Sequence, residues 1–195
     1  VYITMFNPIK VKGGEIFRKI AIKMPRYKFL AVEGWHQLKE KSMGEWDMEK
    51  MKLMASAYGE TKILIPEVVN LSDVKNIKYI KAVEDVSQIY RKTRILLLPS
   101  LWEEASARVI REAMINGIPV IASNTGGTKE IVGKGGIVIK DYLDINKWIT
   151  EIKKFDDEEY YSNFSAIARK EASKFDYKKE VAKVEIALKR ILRSG

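Results

Sequence analysis

The sequence predicts a doubly wound parallel α/β sheet, followed by two or three helices at the carboxyl end. Short, continuous apolar runs alternate with stretches of helical spacing as far as residue 139. Such runs are typical of strands that are buried on both faces of a parallel sheet. Residues 94–130 show the pattern most fully, as strand, helix, strand and the start of a further helix. Strands that alternate with helices imply right-handed parallel connections.

Each element is predicted from its apolar spacing and from the residues that end it. The first helix carries Ile16, Phe17 and Ile20 on one stripe and stops at Pro25. The central helix stops at Gly117, with Pro119 just beyond it. The predicted strands are residues 1–6, 27–33, 62–65, 77–80, 95–98, 119–122 and 135–139. The predicted helices are residues 15–24, 47–58, 85–92, 105–116, 128–132, 144–154, 156–174 and 177–192.

The composition indicates one globular domain over residues 1–195, and 46% of the residues are hydrophobic. The chain starts at Val1 directly in a strand-like run, which suggests a domain excised from a longer protein. Cysteine is absent and His36 is the single histidine, so a disulfide framework, a thiol nucleophile and a multi-histidine metal site are excluded. No apolar run approaches the roughly 18 residues that span a membrane, and no signal peptide is visible.

The charge balance favours anionic partners. Lys and Arg number 35 against 26 for Asp and Glu, which gives a net charge of +9. Nucleotides, phosphates, nucleic acid or an acidic lipid surface would suit this balance. Solubility, or the lysine-rich composition common in thermophiles, explains it equally well. No nucleic-acid-binding motif is present, so nucleic acid is not an expected partner, whereas peripheral contact with an anionic membrane stays open.

Three loops are expected to line one cleft, because ligands of such sheets bind at the carboxyl ends of the strands. The loops are residues 7–14, 99–106 and 123–128. The first places Lys10 and Lys12 beside two glycines, which suits a phosphate at a helix N-terminus. Surface lysines are the alternative interpretation of that loop.

The second loop leads into a helix that begins with small residues, Ala105, Ser106 and Ala107. Small side chains let an anionic ligand approach the free N–H groups of the first helical turn. Ser106 could equally be an ordinary N-cap. Arg108 falls in the same turn, where the helix dipole disfavours a cation and a bound anion would relieve the cost. A solvated arginine is the alternative.

Glu104 and Glu112 lie eight residues apart, which corresponds to about 12 Å of helix rise. Carboxylates at that separation could hold two polyhydroxylated groups, with phosphates over the helix N-terminus between them. A sugar nucleotide has this layout of ribose, diphosphate and sugar. The roughly 5 to 9.5 Å separation of glycosidase carboxylates is shorter, which argues against an acid/base pair. The alternative for Glu112 is a surface residue.

The same stretch resembles the carboxyl-terminal domain of GT-B glycosyltransferases of the family-4 retaining type, and the resemblance covers most of residues 1–175. Its central feature is two glutamates separated by seven residues, followed by Gly-x-Pro and then Gly-Gly-x-x-Glu. The family's first loop ends in Lys-Gly, here Lys12-Gly13. The other matching residues are Pro99, Ser100, Glu104, Glu112, Ala113, Gly117, Pro119, Gly126, Gly127 and Glu130.

The resemblance implies a Rossmann-like half of a GT-B fold that binds a nucleotide-diphosphate sugar and transfers a hexose with retention. It gives Glu104 the catalytic position facing the donor sugar, and gives Glu112 the ribose hydroxyls. Lys81 falls in the loop that packs on the base. The residues implied at the diphosphate are Lys12, Gly13, Ser106, Ala107, Arg108 and Val109. No metal or tightly bound cofactor is implied.

The resemblance also implies an acceptor-binding domain amino-terminal to this one, without which the isolated domain is expected to be inactive. A cytoplasmic location, at the inner face of a membrane, would suit a lipid-linked acceptor. Two positions depart from the family: Asn7 stands where many members have arginine, and Ala105-Ser106-Ala107 replaces Gly-Phe-Gly. Lys10 could replace the arginine as a point charge. The alternatives are a non-catalytic donor-binding module and a sugar-nucleotide epimerase or phosphorylase, and no motif for pyridoxal phosphate is present.

Overall fold

The computed structural model describes residues 1–34, 67–175 and 177–193. The predicted helix over residues 47–58, the predicted strand over residues 62–65, and His36 lie outside the described residues.

The described residues form one six-stranded sheet, in which every neighbouring pair of strands is parallel. The strand order is β3-β2-β1-β4-β5-β6. The strands are β1 (Tyr2–Phe6), β2 (Phe29–Val32), β3 (Ile77–Ile80), β4 (Thr93–Leu98), β5 (Val120–Ser123) and β6 (Gly136–Ile139). The prediction of a doubly wound parallel sheet is therefore confirmed, and this order is that of dinucleotide-binding folds.

Among the described residues, helices connect β1 to β2 and each of the consecutive strands from β3 to β6, and three further helices follow β6. Asp144 and Asp157 begin two of them, because their side chains accept hydrogen bonds from Asn146 N and Tyr160 N. The helix predicted over residues 85–92 is shorter than expected. In chain order the helices are α1 (Gly14–Lys23), α2 (Ser87–Tyr90), α3 (Arg108–Ile115), α4 (Thr128–Val132), α5 (Ile145–Lys154), α6 (Glu158–Ala172) and α7 (Tyr177–Arg193).

The core occupies both faces of the sheet, as the alternation along β4 shows. Ile95 and Leu97 belong to the apolar cluster under α1 and α5, whereas Leu96 and Leu98 belong to the cluster under α3 and α6. A strand with helices packed on both faces has no polar side, so its sequence is a continuous apolar run. Trp148 is fully buried in the first cluster and donates its indole N–H to Tyr142 O at 2.9 Å.

The order of the strands reverses at β1, which lies between β2 and β4. The chain builds β2 and β3 on one side of β1, and then crosses to build β4, β5 and β6 on the other. The loops that leave the carboxyl ends of β1 and β4 therefore flank a crevice, and the open α/β sheets of this type bind ligands there. Within the described ranges, no helix combines the length and apolarity that crossing a bilayer requires.

Candidate nucleotide-sugar site

The loops after β1 and β4 touch each other at the reversal point. Leu101 N donates to Val11 O at 2.9 Å. Gly13 has a φ of +81°, and a Cβ placed on it would lie 1.8 Å from the carbonyl oxygen of Pro99. Only glycine fits this position, because the backbone of one loop occupies the volume that a side chain on the other would need.

The third predicted loop, after β5, joins the same crevice. Gly127 N donates to Glu104 O at 2.7 Å, and a Cβ on Gly126 would lie 2.6 Å from that same oxygen. Ser123 Oγ donates to Leu98 O at 3.1 Å and to Ser100 O at 2.6 Å, which ties the end of β5 to the end of β4. The expectation that three loops line one cleft is confirmed in the positions of their backbones.

Two residues predicted at different parts of the donor, Lys12 at the diphosphate and Glu104 at the sugar, form an ion pair across this cleft. Lys12 Nζ donates to Glu104 Oε1 at 2.6 Å, and the two side chains are 27% and 11% exposed. The pair is only partly accessible to water, so its attraction is less screened than that of a surface pair. An anion that approaches Lys12 would compete with the Glu104 carboxylate for the ammonium group.

Helix α3 begins three residues later than predicted. Arg108 is its first residue and Ala107 its N-cap, so Ser106 is not the N-cap and the sequence-based alternative for that residue is wrong. The physical reason is the position of Glu104. Its carbonyl accepts the hydrogen bond from Gly127 N, and the chain then reaches α3 with Ala107 in an extended conformation. Alanine offers no capping oxygen, so no side chain caps the first-turn N–H groups.

The later start also corrects the geometry of the two glutamates. Only the interval from Arg108 to Glu112 is helical, so the estimate of about 12 Å over eight helical residues does not apply. Glu112 lies one turn inside α3 rather than two. The two carboxylates have different partners, because Glu104 pairs with Lys12 and Glu112 with Tyr90.

Tyr90 is not among the residues predicted at the site, and the structure adds it. Its hydroxyl donates to Glu112 Oε2 at 2.7 Å. Burial, together with the carboxylate of Glu112, raises the pKa of the Tyr90 phenol, so the hydroxyl keeps its proton. The two side chains stand in a groove of about 340 Å³ between α2 and α3. The groove is lined by Glu84, Asp85, Val86, Ser87, Tyr90, Glu112, Ile115 and Asn116.

The remaining predicted residues lie at the same edge of the sheet. Lys81 is exposed just after β3, beside Ala82, whose N–H donates to Glu33 Oε2 at 3.3 Å. Ser106 and Arg108 are exposed at the start of α3, whereas Ala107 and Val109 are half-buried. The structure therefore places these residues at the carboxyl edge of the sheet, and no described hydrogen bond joins their side chains to Lys12 or Glu104.

The first loop differs from its predicted role at two residues. Lys10 forms an ion pair with Glu67, so its ammonium group does not stand beside Lys12 as a second charge. Asn7 has a φ of +57°, and its Oδ1 is buried without a hydrogen-bond partner among the described residues. Asparagine tolerates this left-handed conformation better than most residues, which accounts for its place at the turn after β1.

The described part of the chain contains no group of three or more His, Cys, Asp or Glu residues arranged to hold a metal ion. Several polar protein groups line the crevice. These are an ammonium and a guanidinium group, uncapped helical N–H groups, and two carboxylates with separate partners. Such a set suits an elongated anionic ligand that carries hydroxyl groups at both ends.

A family model described as Glycosyl transferases group 1 matches residues 58–171, more than half of the chain. Spore coat protein SA of Bacillus subtilis (strain 168) is 35% identical over 78 residues, which are 39% of this chain and 20% of that relative. The sucrose-phosphate synthase of Thermosynechococcus elongatus superposes on the whole chain, with a TM-score of 0.72, 17% identity and 46% of its own length covered.

A further solved structure, Anabaena HepE in complex with UDP and glucose, has a TM-score of 0.69 at 18% identity. The superposition covers 96% of this chain and 48% of HepE. At these identities the two structures establish the shared GT-B fold. The chain spans about half the length of each of them.

Proposed function

The chain belongs to the family of glycosyl transferases group 1, and from this we propose that it is the donor-binding half of a retaining hexosyltransferase that uses a nucleotide-diphosphate sugar. One observation carries the proposal. Lys12 and Glu104 meet at 2.6 Å in the crevice where the strand order reverses, beside the uncapped start of α3. The crevice thus offers a cation, helical N–H groups and a carboxylate within one elongated site.

We assign the parts of the donor to these groups as follows. The diphosphate lies over the first turn of α3, where the N–H groups of residues 106–109 and the Lys12 ammonium neutralise its charge. Glu112 accepts hydrogen bonds from the ribose hydroxyls, and Glu104 accepts them from the donor sugar. Lys81 and its loop pack on the base. No metal and no tightly bound cofactor are needed in this assignment.

The catalytic contribution of this half is electrostatic. When the bond between the sugar and the diphosphate breaks, its electron pair passes to a phosphate oxygen, and negative charge develops on the leaving diphosphate. Fixed N–H groups and a positioned ammonium group stabilise charge that develops in the transition state. Glu104 would hold the sugar in place while its anomeric carbon passes from the diphosphate oxygen to an acceptor oxygen with retention of configuration. The acceptor hydroxyl would give its proton to the leaving diphosphate.

The acceptor belongs to a part of the protein beyond this chain, in our proposal an amino-terminal domain. The chain matches 46% of the sucrose-phosphate synthase structure and 48% of the HepE structure, so more than half of each relative has no counterpart here. Leu101 and Trp102 are exposed in the loop after β4. We therefore expect the isolated chain to bind a donor and to transfer no sugar.

Donor binding is the first expected result. Isothermal titration should show that uridine or guanosine diphosphate, and the matching sugar conjugate, bind the 195-residue chain. The monophosphate should bind more weakly, because one fewer phosphate meets Lys12 and the start of α3. Lys12→Ala should weaken diphosphate binding about tenfold, the value of one charge-assisted hydrogen bond. Lys19→Ala, which removes an exposed lysine of α1, is the matched control. Absence of binding at millimolar concentration would contradict the proposal.

A non-catalytic donor-binding module is the second candidate, and Asn7 is the observation that favours it. Asn7 stands at the turn after β1 where the family resemblance places an arginine, and Lys10 is paired with Glu67 instead. The diphosphate would then meet one lysine rather than two cations in that loop. Transfer assays on the protein with its acceptor domain separate the two candidates, since a module binds the donor and turns none over.

Peripheral contact with the inner face of an anionic membrane is the remaining part of the proposal. Helix α7 exposes an apolar stripe, in which Val184, Leu188 and Leu192 are 59%, 54% and 81% exposed. Amphipathic helices with basic residues lie on anionic lipid surfaces. Cosedimentation with phosphatidylglycerol vesicles should be lost in high salt and with Leu188→Asp. The exposed Leu143→Asp is the control. If no vesicle binding occurs at low salt, the membrane is not the surface that covers this stripe.

A further inference from the structure

Tyr90 is held rigidly where it meets Glu112. The side chain is 5% exposed and packs in the apolar cluster that contains Leu96 and Ile110. Its ring lies against Phe6, with ring centroids 5.5 Å apart. Its hydroxyl is the only polar atom of the side chain, and it donates to Glu112 Oε2 at 2.7 Å. A buried tyrosine of this kind presents one hydrogen-bond donor in one direction.

Glu112 is the less constrained partner. It is half-buried on the groove side of α3, and a glutamate side chain has three rotatable bonds whose freedom is lost when it is held in place. The groove also contains Glu84 and Asp85. Their negative charges would turn the Glu112 carboxylate away toward solvent if nothing held it. The bond from Tyr90 opposes that repulsion and fixes one of the two carboxylate oxygens.

We propose that Tyr90 is a positioning residue that makes the site selective for ribonucleotide over deoxyribonucleotide donors, by holding Glu112 so that its free oxygen faces the ribose hydroxyls. The inference rests on the proposed function, because it needs a nucleoside in the groove. An ionised carboxylate only accepts hydrogen bonds, and Tyr90 already fills one of the Glu112 oxygens. The other oxygen can accept hydrogen bonds from the ribose hydroxyls, and a deoxyribose has fewer hydroxyl groups to donate them.

The protonation state of the Tyr90 hydroxyl is consistent with this arrangement. Burial, together with the Glu112 carboxylate, raises the pKa of the Tyr90 phenol, so it remains a donor throughout the neutral range. The Asp85 carboxylate has a different partner, since its Oδ1 accepts a hydrogen bond from Ser87 N at 3.0 Å. The groove therefore keeps one carboxylate oriented by a neutral hydroxyl group, and pre-orientation lowers the entropic cost of binding.

The test compares a ribonucleotide with its analogue on the same variant. Uridine and guanosine diphosphates, and their 2′,3′-dideoxy counterparts, are titrated into wild type, Tyr90→Phe, Glu112→Ala and the double variant. In wild type the ribonucleotide should bind at least tenfold more tightly than the dideoxy analogue. Tyr90→Phe should remove most of this ratio while leaving the affinity for the dideoxy analogue unchanged. Because the ratio is taken within one variant, a change in stability does not affect it.

Two controls make the result specific. Tyr160→Phe removes a phenolic hydroxyl from α6, in the other apolar cluster, and should leave the ratio at its wild-type value. In the Glu112→Ala background, Tyr90→Phe should have no further effect, because a positioning residue acts only through the residue that it positions. Additive losses in the double variant would show that Tyr90 acts independently, and would overturn the inference.

The outcomes separate this inference from the proposed function. If Glu112→Ala lowers the ratio and Tyr90→Phe retains it, the donor site stands and the role of Tyr90 is wrong. If wild type binds the ribonucleotide and the dideoxy analogue equally, Glu112 does not bind the ribose hydroxyls and the inference fails. Diphosphate binding would still stand. If wild type binds no nucleoside diphosphate, the proposed function fails and the role of Tyr90 fails with it.

Discussion

The Gly13→Ala variant is expected to lose nucleotide binding and about 3 kcal/mol or more of its free energy of unfolding. A residue with a side chain at φ +81° costs roughly 1–2 kcal/mol, and here the new Cβ would also lie 1.8 Å from Pro99 O. The carbonyl cannot move away easily, because Pro99 follows β4 and Leu98 is paired with β5. Either β4 or the first loop must shift, and each carries a part of the site.

Gly117→Ala is the matched control for this prediction. Gly117 has a φ of +71°, so the backbone strain is similar, but its new Cβ would meet the guanidinium group of Arg169, which is a flexible side chain. We expect a loss of about 1–2 kcal/mol there and unchanged nucleotide affinity. Urea denaturation measures the first quantity and calorimetric titration the second. Equal stability losses in both variants would show that strain alone, and not the contact between loops, makes glycine necessary at Gly13.

The sheet could be predicted because its signals are local. Each strand of the central unit is buried on both faces, so its sequence is continuously apolar whichever neighbours it has. Helix α4 (Thr128–Val132) begins at Thr128, where the pattern predicted the start of a helix. The helix predicted over residues 144–154 was recognised from its stripe, and it has Asp144 as its N-cap. These features depend on residues within one or two helical turns, which a sequence displays directly.

The details of the site depend on contacts that a sequence does not display. The start of α3 is set by the bond from Gly127 N to Glu104 O, which joins two loops separated by a helix and a strand. The Lys12–Glu104 pair spans 92 residues, and the Tyr90–Glu112 pair spans 22. A tyrosine on an apolar stripe signals core packing, and the ring of Tyr90 is packed in the core. Only the position of Glu112 one turn into α3 reveals what its hydroxyl does.

Glu112→Ala and Glu104→Gln are expected to affect two different ligands. Glu112→Ala should weaken binding of the free nucleoside diphosphate at least tenfold, because the ribose loses a charged hydrogen-bond acceptor. The sugar conjugate should lose the same factor, since it carries the same ribose. Glu104→Gln should not weaken binding of the free diphosphate, and should remove the additional affinity that the sugar supplies. Titration of both ligands into both variants gives the four affinities that decide this.

The ion pair between Lys12 and Glu104 gives a more specific expectation for how Glu104→Gln changes binding of the free diphosphate. The Lys12 ammonium group donates to Glu104 Oε1 at 2.6 Å, so a diphosphate must draw Lys12 away from a carboxylate. Replacing that carboxylate by a neutral amide removes the competitor, and binding of the free diphosphate should become severalfold tighter rather than weaker. Glu103→Gln makes the same change in net charge at the adjacent exposed residue and should not produce this gain. If the two variants strengthened binding equally, the gain would come from overall charge. If Glu104→Gln weakened the free diphosphate as much as Glu112→Ala does, the two glutamates would not divide the donor between them.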